Sequence, residues 1–298
     1  MLNHPYLTAV RPWTLSASLT PVLLGAVLSY QSHHQFSLLL ALVTVLTVLT
    51  VHGAGNLVNT YFDYMQGVDP RAAGTEDRTL VDRHLEPTQV VNLAAYLYGC
   101  GMLGLWALMV LSPAQSYLIA GLFFGGLSGS FLYTGGIGLK YYILGDLLVI
   151  ITFGPLAVLF SYVIQCGHFS LSPLLLAVPL ALNTEAIMHS KHTRDISAHK
   201  EVGLVSLAVI LGEQGSYFLF ALLLFCPYFI FFYWMIQYSL PLGLPLVTMP
   251  YAFSLERVFR ESNCRHSISR QLAGLNLTLG LLQVIGCCFS NYVPYSVR

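Results

Sequence analysis

The chain has 298 residues, of which 56% are hydrophobic and only 9% are charged. Soluble domains carry about 25% charged residues, so this composition excludes an ordinary water-facing surface and predicts an integral membrane protein. The formal net charge is zero, which argues against nucleic acid as a partner. The six cysteines form no CxxC pair, so we expect them to be packing residues rather than disulfides or zinc ligands.

Nine apolar runs are each close to the roughly 20 residues that cross a bilayer as a helix. We interpret the first run as a retained helix, because the sequence before it shows no separate signal-peptide core with a cleavage site. A shorter run, 203–212, is expected to be a surface helix. The predicted fold class is therefore an all-α, polytopic membrane domain spanning 1–298. The nine runs are 13–31, 36–60, 89–111, 115–134, 142–165, 171–190, 214–237, 240–258 and 271–290.

Charge is confined to one face of this predicted bundle. With nine crossings, twelve of the thirteen basic residues and all thirteen acids fall on, or just inside, the N-terminal side. The positive-inside rule assigns that side to the cytosol. Two polar connections on it, about 61–88 and 191–213, are long enough to form folded caps. A transporter would place polar groups near the midplane with access from both sides, so that alternative is less favoured.

The stretch "NLVNTYFDYMQGVD" ends the second run with a polar stripe. Asn56, Asn59 and Asp63 recur at helical spacing, and Gly67 permits a break after which Asp69 can fold back toward Asp63. Carboxylate and amide oxygens suit Mg²⁺ that is shared with substrate phosphates. Capping of a helix end at the membrane interface is the alternative reading of the same residues. Polar groups in an apolar run favour function.

Three basic residues nearby are candidates for binding phosphate. Arg78 and Arg83, within "DRTLVDR", could hold phosphate oxygens by forked hydrogen bonds. They could equally pair with the acids of the same stretch and fold the loop. Lys140 follows a glycine-rich turn and could neutralise a phosphate.

The second polar connection carries acid, imidazole and basic groups together. Their near-helical spacing predicts a second wall facing a diphosphate, and a helix end with interfacial His and Lys is the alternative. The residues are Glu185, His189, Lys191, His192, Arg194, Asp195 and His199.

Several stretches, including "RPWTLSASLTPVLLG", "HGAGNLVNTYFDYMQGVD" and "LGDLLVIITFGPLAV", resemble the UbiA superfamily of intramembrane aromatic prenyltransferases over nearly the whole chain. The NxxxDxxxxxD motif of that family matches Asn59, Asp63 and Asp69. The resemblance implies that a polyprenyl diphosphate binds with Mg²⁺ between two Asp-rich motifs and ionises toward an allylic cation. An electron-rich aromatic ring then attacks the cation.

The resemblance also implies roles for the candidate residues. Asn59, Asp63, Asp69 and Asp195 would bind metal, and the catalytic set would be Asp63, Asp69, Asp195 and Lys140. Diphosphate and acceptor would be bound by Asn56, Asn59, Arg78, Arg83, Lys191, His192, Arg194 and His199. The implied substrates are geranylgeranyl diphosphate and a reduced naphthoquinone, which would give menaquinone-4. The implied location is the endoplasmic reticulum or Golgi membrane, with an inner mitochondrial membrane as the alternative, and a sterol-pathway enzyme is a further expected partner.

The second motif departs from the family pattern, because His199 stands where a second acid is expected. Lys191 and His192 occupy the region of a family Asn, and Gln66 replaces a Lys of close relatives. Imidazole is a poor Mg²⁺ ligand. Three accounts follow: an active enzyme in which a lysine replaces part of a second cation, an active enzyme with altered metal preference, or an isoprenoid-binding protein that acts through partners.

Overall fold

The computed structural model describes residues 4–65, 79–135, 138–139, 144–201, 203, 205–261, 268–290 and 294, and within these residues it contains helices and no strand. The α-helices are α1 (Pro5–Val10), α2 (Ser16–His33), α3 (Leu38–Met65), α4 (Pro87–Leu111), α5 (Ser116–Thr134), α6 (Leu144–Ile151), α7 (Ala157–Cys166), α8 (Ser172–Arg194), α9 (Ile196–Glu201), α10 (Leu207–Gln237), α11 (Met249–Arg260) and α12 (Ile268–Phe289). Short 3₁₀ helices cover Pro12–Leu15 and Leu240–Thr248, and a π turn covers Thr152–Leu156.

All nine predicted runs coincide with helical structure, and the prediction of an all-α, multi-pass membrane protein is confirmed. Seven helical segments in the described part of the chain are long and apolar enough by themselves to cross a membrane. One of these, Leu144–Cys166, joins α6, the π turn and α7. The other two predicted runs correspond to α8 and to the 3₁₀ helix followed by α11.

Close helix packing depends on small residues, as expected where lipid removes the hydrophobic drive for helix association. A Cβ added to Gly104 of α4 would overlap the side chain of Thr47 on α3. A Cβ added to Gly25 of α2 would likewise overlap the carbonyl of Val158 on α7. The hydroxyl of Thr47 donates to the Val43 carbonyl at 2.7 Å, so this polar group is satisfied within its own helix.

Pro155 explains the widened turn in the fifth span. Proline lacks the N–H that would continue the α-helical ladder, and single π turns are a common adjustment inside α-helices at functional sites. The turn Thr152–Leu156 packs against α8. It therefore places irregular backbone inside the bundle, where neighbouring helices cover it.

The second polar cap is largely helical. Helix α8 continues to Arg194, α9 follows at once, and α10 begins at Leu207. Gly212 interrupts α10 with φ 66°, which separates a first helical turn from the span proper and matches the short surface helix predicted there. Residues of the second motif are thus held on rigid helices at the end of the bundle.

Candidate functional site

A cavity that is partly open to the surroundings lies among α2, α3, α5, α6, α8 and the π turn. One part of its lining is polar, with Asn56, Asn59 and Lys191 among the predicted site residues. The remainder is largely apolar and includes Val149 and Ile187. The structure therefore brings the first and second motifs to one space.

A second cavity continues from the first and has a mainly apolar lining. The two cavities share His52, Thr152 and Phe153. The His52 ring lies 4.7 Å from the Phe153 ring, centroid to centroid, and its Nδ1 is 2.6 Å from the Ser18 hydroxyl. A ligand with a polar head and a long apolar chain would fit this succession of surroundings.

The first wall, Asn56, Asn59 and Asp63 on α3, is held by other helices. The Asn56 amide donates to the Val10 carbonyl at 2.8 Å and to the Thr14 hydroxyl at 2.9 Å. The Asn59 side-chain oxygen accepts a 2.7 Å hydrogen bond from Thr134 of α5. Asp63 is buried one turn further along. Asn56 therefore anchors the N-terminal segment, while the oxygens of Asn59 and Asp63 are the hard donors suited to Mg²⁺.

Arg11 lines the same cavity and is a residue that the sequence prediction missed. Its backbone is left-handed, with φ 56°, a conformation that costs a non-glycine residue energy and clusters at functional sites. Its guanidinium donates to the Thr60 hydroxyl at 3.2 Å. The signal available in the sequence was a lone arginine directly before Pro12 at the start of an apolar run.

The second wall consists of Lys191, His192, Arg194, Asp195 and His199. Lys191 lines the cavity. His192 is buried, and its Nδ1 lies 3.3 Å from a carboxylate oxygen of Asp146. Its Nε2 is 3.5 Å from the hydroxyl of Tyr133, which also lines the cavity. His192 thus connects α6, α8 and the cavity lining.

The other acid and imidazole of the second wall are engaged locally. Arg194 donates from Nε and Nη2 to the two carboxylate oxygens of Asp195, each at 2.7 Å. His199 is buried, with Nδ1 3.3 Å from the Ser206 hydroxyl. Neither Asp195 nor His199 is part of the cavity lining. A forked bond to arginine satisfies a carboxylate well, so Asp195 is less exposed to a ligand than its spacing predicted.

Three further predicted site residues, Asp63, Arg83 and Arg194, are described but are not part of this cavity's lining. Arg83 is exposed in the turn before α4. Asp69, Arg78 and Lys140 lie outside the described residues. Their assignments stay predictions.

A buried group of three potential ligands lies behind the cavity. Oxygens of Asp146 and Glu185 and a ring nitrogen of His189 all lie within 4.8 Å of one another. Sequence spacing placed Glu185 and His189 together but could not add Asp146, because Asp146 is on α6 and the other two are on α8.

Comparison with known proteins identifies the family. Residues 18–279 match the model of the UbiA prenyltransferase family. The chain is 52% identical to zebrafish UbiA prenyltransferase domain-containing protein 1, covering 94% of this chain and 83% of that protein. It is 50% identical to the Drosophila melanogaster homolog, covering 97% and 80%.

The fold agrees with that assignment. A UbiA homolog from Archaeoglobus fulgidus, solved bound to GPP and Mg²⁺, superposes with a TM-score of 0.62 at 12% identity, covering 94% of this chain and 99% of that one. The resemblance inferred from the sequence motifs is confirmed. This chain belongs to the UbiA prenyltransferase family and is a membrane prenyltransferase.

Proposed function

We propose that this protein transfers a geranylgeranyl group from its diphosphate to a reduced naphthoquinone, giving menaquinone-4 in its reduced, quinol form and releasing diphosphate. The observation that carries the proposal is the paired cavity, which is polar and basic near Asn59 and Lys191 and apolar beyond His52 and Phe153. A diphosphate head needs a polar, basic region, and its 20-carbon tail needs an adjoining apolar region. The archaeal homolog solved with GPP and Mg²⁺ supports a prenyl diphosphate as donor.

At the polar end, Asn59 and Asp63 would hold Mg²⁺ together with Asp69. The donor chemistry fits, because all three supply hard oxygens. Asp63 is buried one turn along α3 from Asn59, which lines the cavity. When bound, the ion supplies charge neutralisation for the departing diphosphate. Lys191 and Arg11 contribute fixed positive charge to the same space. Lys140, Arg78, Arg83 and Arg194 would add further phosphate contacts, with Asp195, His192 and His199 ordering the second wall.

Where the polar end meets the apolar end, the chain's own residues would protect the reacting carbon. The bond between C1 of the prenyl group and the diphosphate oxygen breaks, and C1 bonds to the quinol ring, which loses one proton. The rings of Tyr133 and Phe153 line this region. Aromatic faces stabilise an adjacent cation, and a dry site prevents its capture by water.

The direct test is incubation of the purified full chain with geranylgeranyl diphosphate, menadiol and Mg²⁺, followed by mass spectrometry of the products. We expect prenylated naphthoquinone that disappears when the metal is chelated. Binding of the diphosphate without product under any divalent metal would reject the proposal. A shift to another aromatic acceptor would retain prenyl transfer but reject the naphthoquinone.

A second candidate function, isoprenoid binding with weak or no catalysis, is favoured by one observation. Both oxygens of Asp195 are engaged by Arg194, and the second expected acid is His199. The same assay decides between the two, because a binding protein would retain the diphosphate and form no product. A transporter would instead move substrate into sealed vesicles unchanged.

We further propose the endoplasmic reticulum or Golgi as the membrane, with the cavity's polar end toward the cytosol and a sterol-pathway membrane enzyme as partner. The one-sided distribution of charge supports the orientation. An N-terminal epitope tag should be stained after selective permeabilisation of the plasma membrane and should overlap markers of those organelles. Staining confined to mitochondria would contradict the assignment, and co-purification with sterol-pathway enzymes would test the partner.

A further inference from the structure

The cluster of Asp146, Glu185 and His189 is buried in the bundle between α6 and α8. Asp146 is 5%, Glu185 2% and His189 0% exposed. Neither Glu185 oxygen has a hydrogen-bond partner among the described residues. Two carboxylates this close repel each other strongly where water is excluded. Either a bound cation or a proton shared between the two carboxyl groups must therefore accompany them in the folded protein.

The imidazole of His189 is oriented as a ligand. Its Nε2 lies 3.1 Å from the backbone carbonyl of Ser216, which can only accept a hydrogen bond, so the proton is on Nε2. Nδ1 then carries the lone pair, and it is buried without a hydrogen-bond partner in the described structure. Metal-binding histidines commonly donate their other N–H to a carbonyl in this way.

Asp146 has a supporting contact of the same kind. Its carboxylate accepts a 3.3 Å hydrogen bond from Nδ1 of His192. That contact fixes one oxygen and leaves the carboxylate with further lone pairs for a ligand. All three members of the cluster thus have lone pairs within 4.8 Å of one another. Two of them, His189 and Asp146, are also fixed by hydrogen bonds to Ser216 and His192.

We propose that Asp146, Glu185 and His189 bind a first-row transition-metal dication of the Zn²⁺ or Mn²⁺ type. Two ionised carboxylates and a neutral imidazole together carry two negative charges. A bound dication brings the group to neutrality, which favours its burial. Mixed imidazole and carboxylate donors suit such ions better than Mg²⁺. The site is separate from the oxygen donors of Asn59 and Asp63 and does not depend on the proposed substrates.

The bound ion would act on the cavity by joining α6 to α8. Val149, one turn from Asp146, lines the cavity on one side. Thr184 and Met188, which adjoin Glu185 and His189, line it on the other. The three ligands are therefore positioning residues, since they set the spacing of two cavity walls without facing the cavity.

The test is the metal content of the detergent-purified full chain by mass spectrometry, after removal of loosely bound ions with a chelator. We expect about one transition-metal ion per chain after incubation with Zn²⁺ or Mn²⁺, as for a site with three protein ligands and one open position. Glu185→Gln and His189→Gln should lower occupancy at least about tenfold, and His192→Asn should weaken affinity about tenfold through the lost supporting contact.

Matched controls separate this site from the rest of the molecule. Asp195→Asn and Asp63→Asn should retain the transition metal, although the second removes a proposed Mg²⁺ ligand. Equal metal content in wild type and Glu185→Gln would overturn the proposal. Should the variants not fold, the wild type still decides: a melting temperature raised by Zn²⁺ or Mn²⁺ but not Mg²⁺ supports the site. Absence of bound metal together with an unchanged melting temperature overturns it in favour of a shared proton.

Discussion

The two walls of the cavity satisfy their polar groups in different ways. On the first wall, the contacts reach across the bundle: Asn56 binds the N-terminal segment and Asn59 binds Thr134 of α5. On the second wall, His192 also reaches distant elements through Asp146 and Tyr133, but Asp195 pairs with its neighbour Arg194 and His199 contacts Ser206 only seven residues away. The amides of the first wall are therefore tied to distant elements, whereas Asp195 and His199 of the second wall are tied locally.

This difference indicates how the two motifs divide their work. Groups fixed by a rigid scaffold are suited to hold a ligand in one geometry. A carboxylate already paired with arginine has less to offer a metal ion, because the pair must open first. We therefore expect the first wall to provide the Mg²⁺ ligands and the second wall to contribute mainly positive charge through Lys191.

The largest expected effect tests the first wall. Asp63→Asn should lower prenyl transfer about 10²- to 10³-fold, the range for loss of one preorganised electrostatic group at a reacting centre. The measurement is initial product formation at saturating geranylgeranyl diphosphate and Mg²⁺. Retention of near wild-type activity would remove Asp63 from the site, and an unchanged melting temperature would show that the loss is not a folding defect.

A smaller effect is expected from the contact that supports the first wall. Thr134→Val removes the 2.7 Å hydrogen bond to the Asn59 oxygen and should raise the Mg²⁺ concentration for half-maximal activity about tenfold, as loss of supporting contacts does at metal sites. Thr134→Ser keeps a hydroxyl and should restore the wild-type value. If Val and Ser behave alike, the contact has no part in metal binding.

The comparison is sharpened by Asp195→Asn, which should lower activity only about tenfold. Asn cannot balance the charge of Arg194, so the forked pair weakens, but no cavity residue is removed. The measurement is the ratio of its activity to that of Asp63→Asn under the same conditions. Equal losses in the two variants would mean that the walls share the metal, contrary to the division inferred above.

The smallest effect is expected at His199. Because its ring is buried against Ser206 and lies 5.7 Å from the His192 ring, centroid to centroid, we expect His199→Asn to leave the order of activating metals unchanged. Its cost should be about 1 kcal/mol of folding stability, typical of one altered hydrogen bond. An altered metal preference in activity assays would instead identify His199 as a ligand.

Local spacing placed two residues of the first wall, Asn56 and Asn59, on the helix face that lines the cavity. Asn56, Asn59 and Asp63 share a helix, so their common face follows from a period of 3.6 residues. The apolar runs likewise follow from the thickness of the bilayer. The spacing could not show that the two asparagines have different contacts. The Asn56 amide binds the backbone carbonyl of Val10, while the Asn59 side-chain oxygen accepts a hydrogen bond from Thr134.

Contacts between distant elements were beyond sequence reasoning. His192 and Asp146 are 46 residues apart, and their meeting depends on how α6 packs against α8. The Arg194–Asp195 pair is adjacent in sequence, yet its formation depends on which side chain the surrounding helices leave room for. Arg11 reaches the cavity because of one left-handed residue, and no periodic pattern encodes such a bend.

The π turn at Thr152–Leu156 has a consequence for rotational register. Such a turn is equivalent to one extra residue in an α-helix, and each residue of an α-helix advances the azimuth by about 100°. Deletion of one residue there would rotate α6 relative to α7 by about that angle and carry Asp146 away from α8. The extra residue of the π turn thus fixes the rotation of α6 about the helix axis relative to α7. The two halves of one membrane span can therefore face different neighbouring helices.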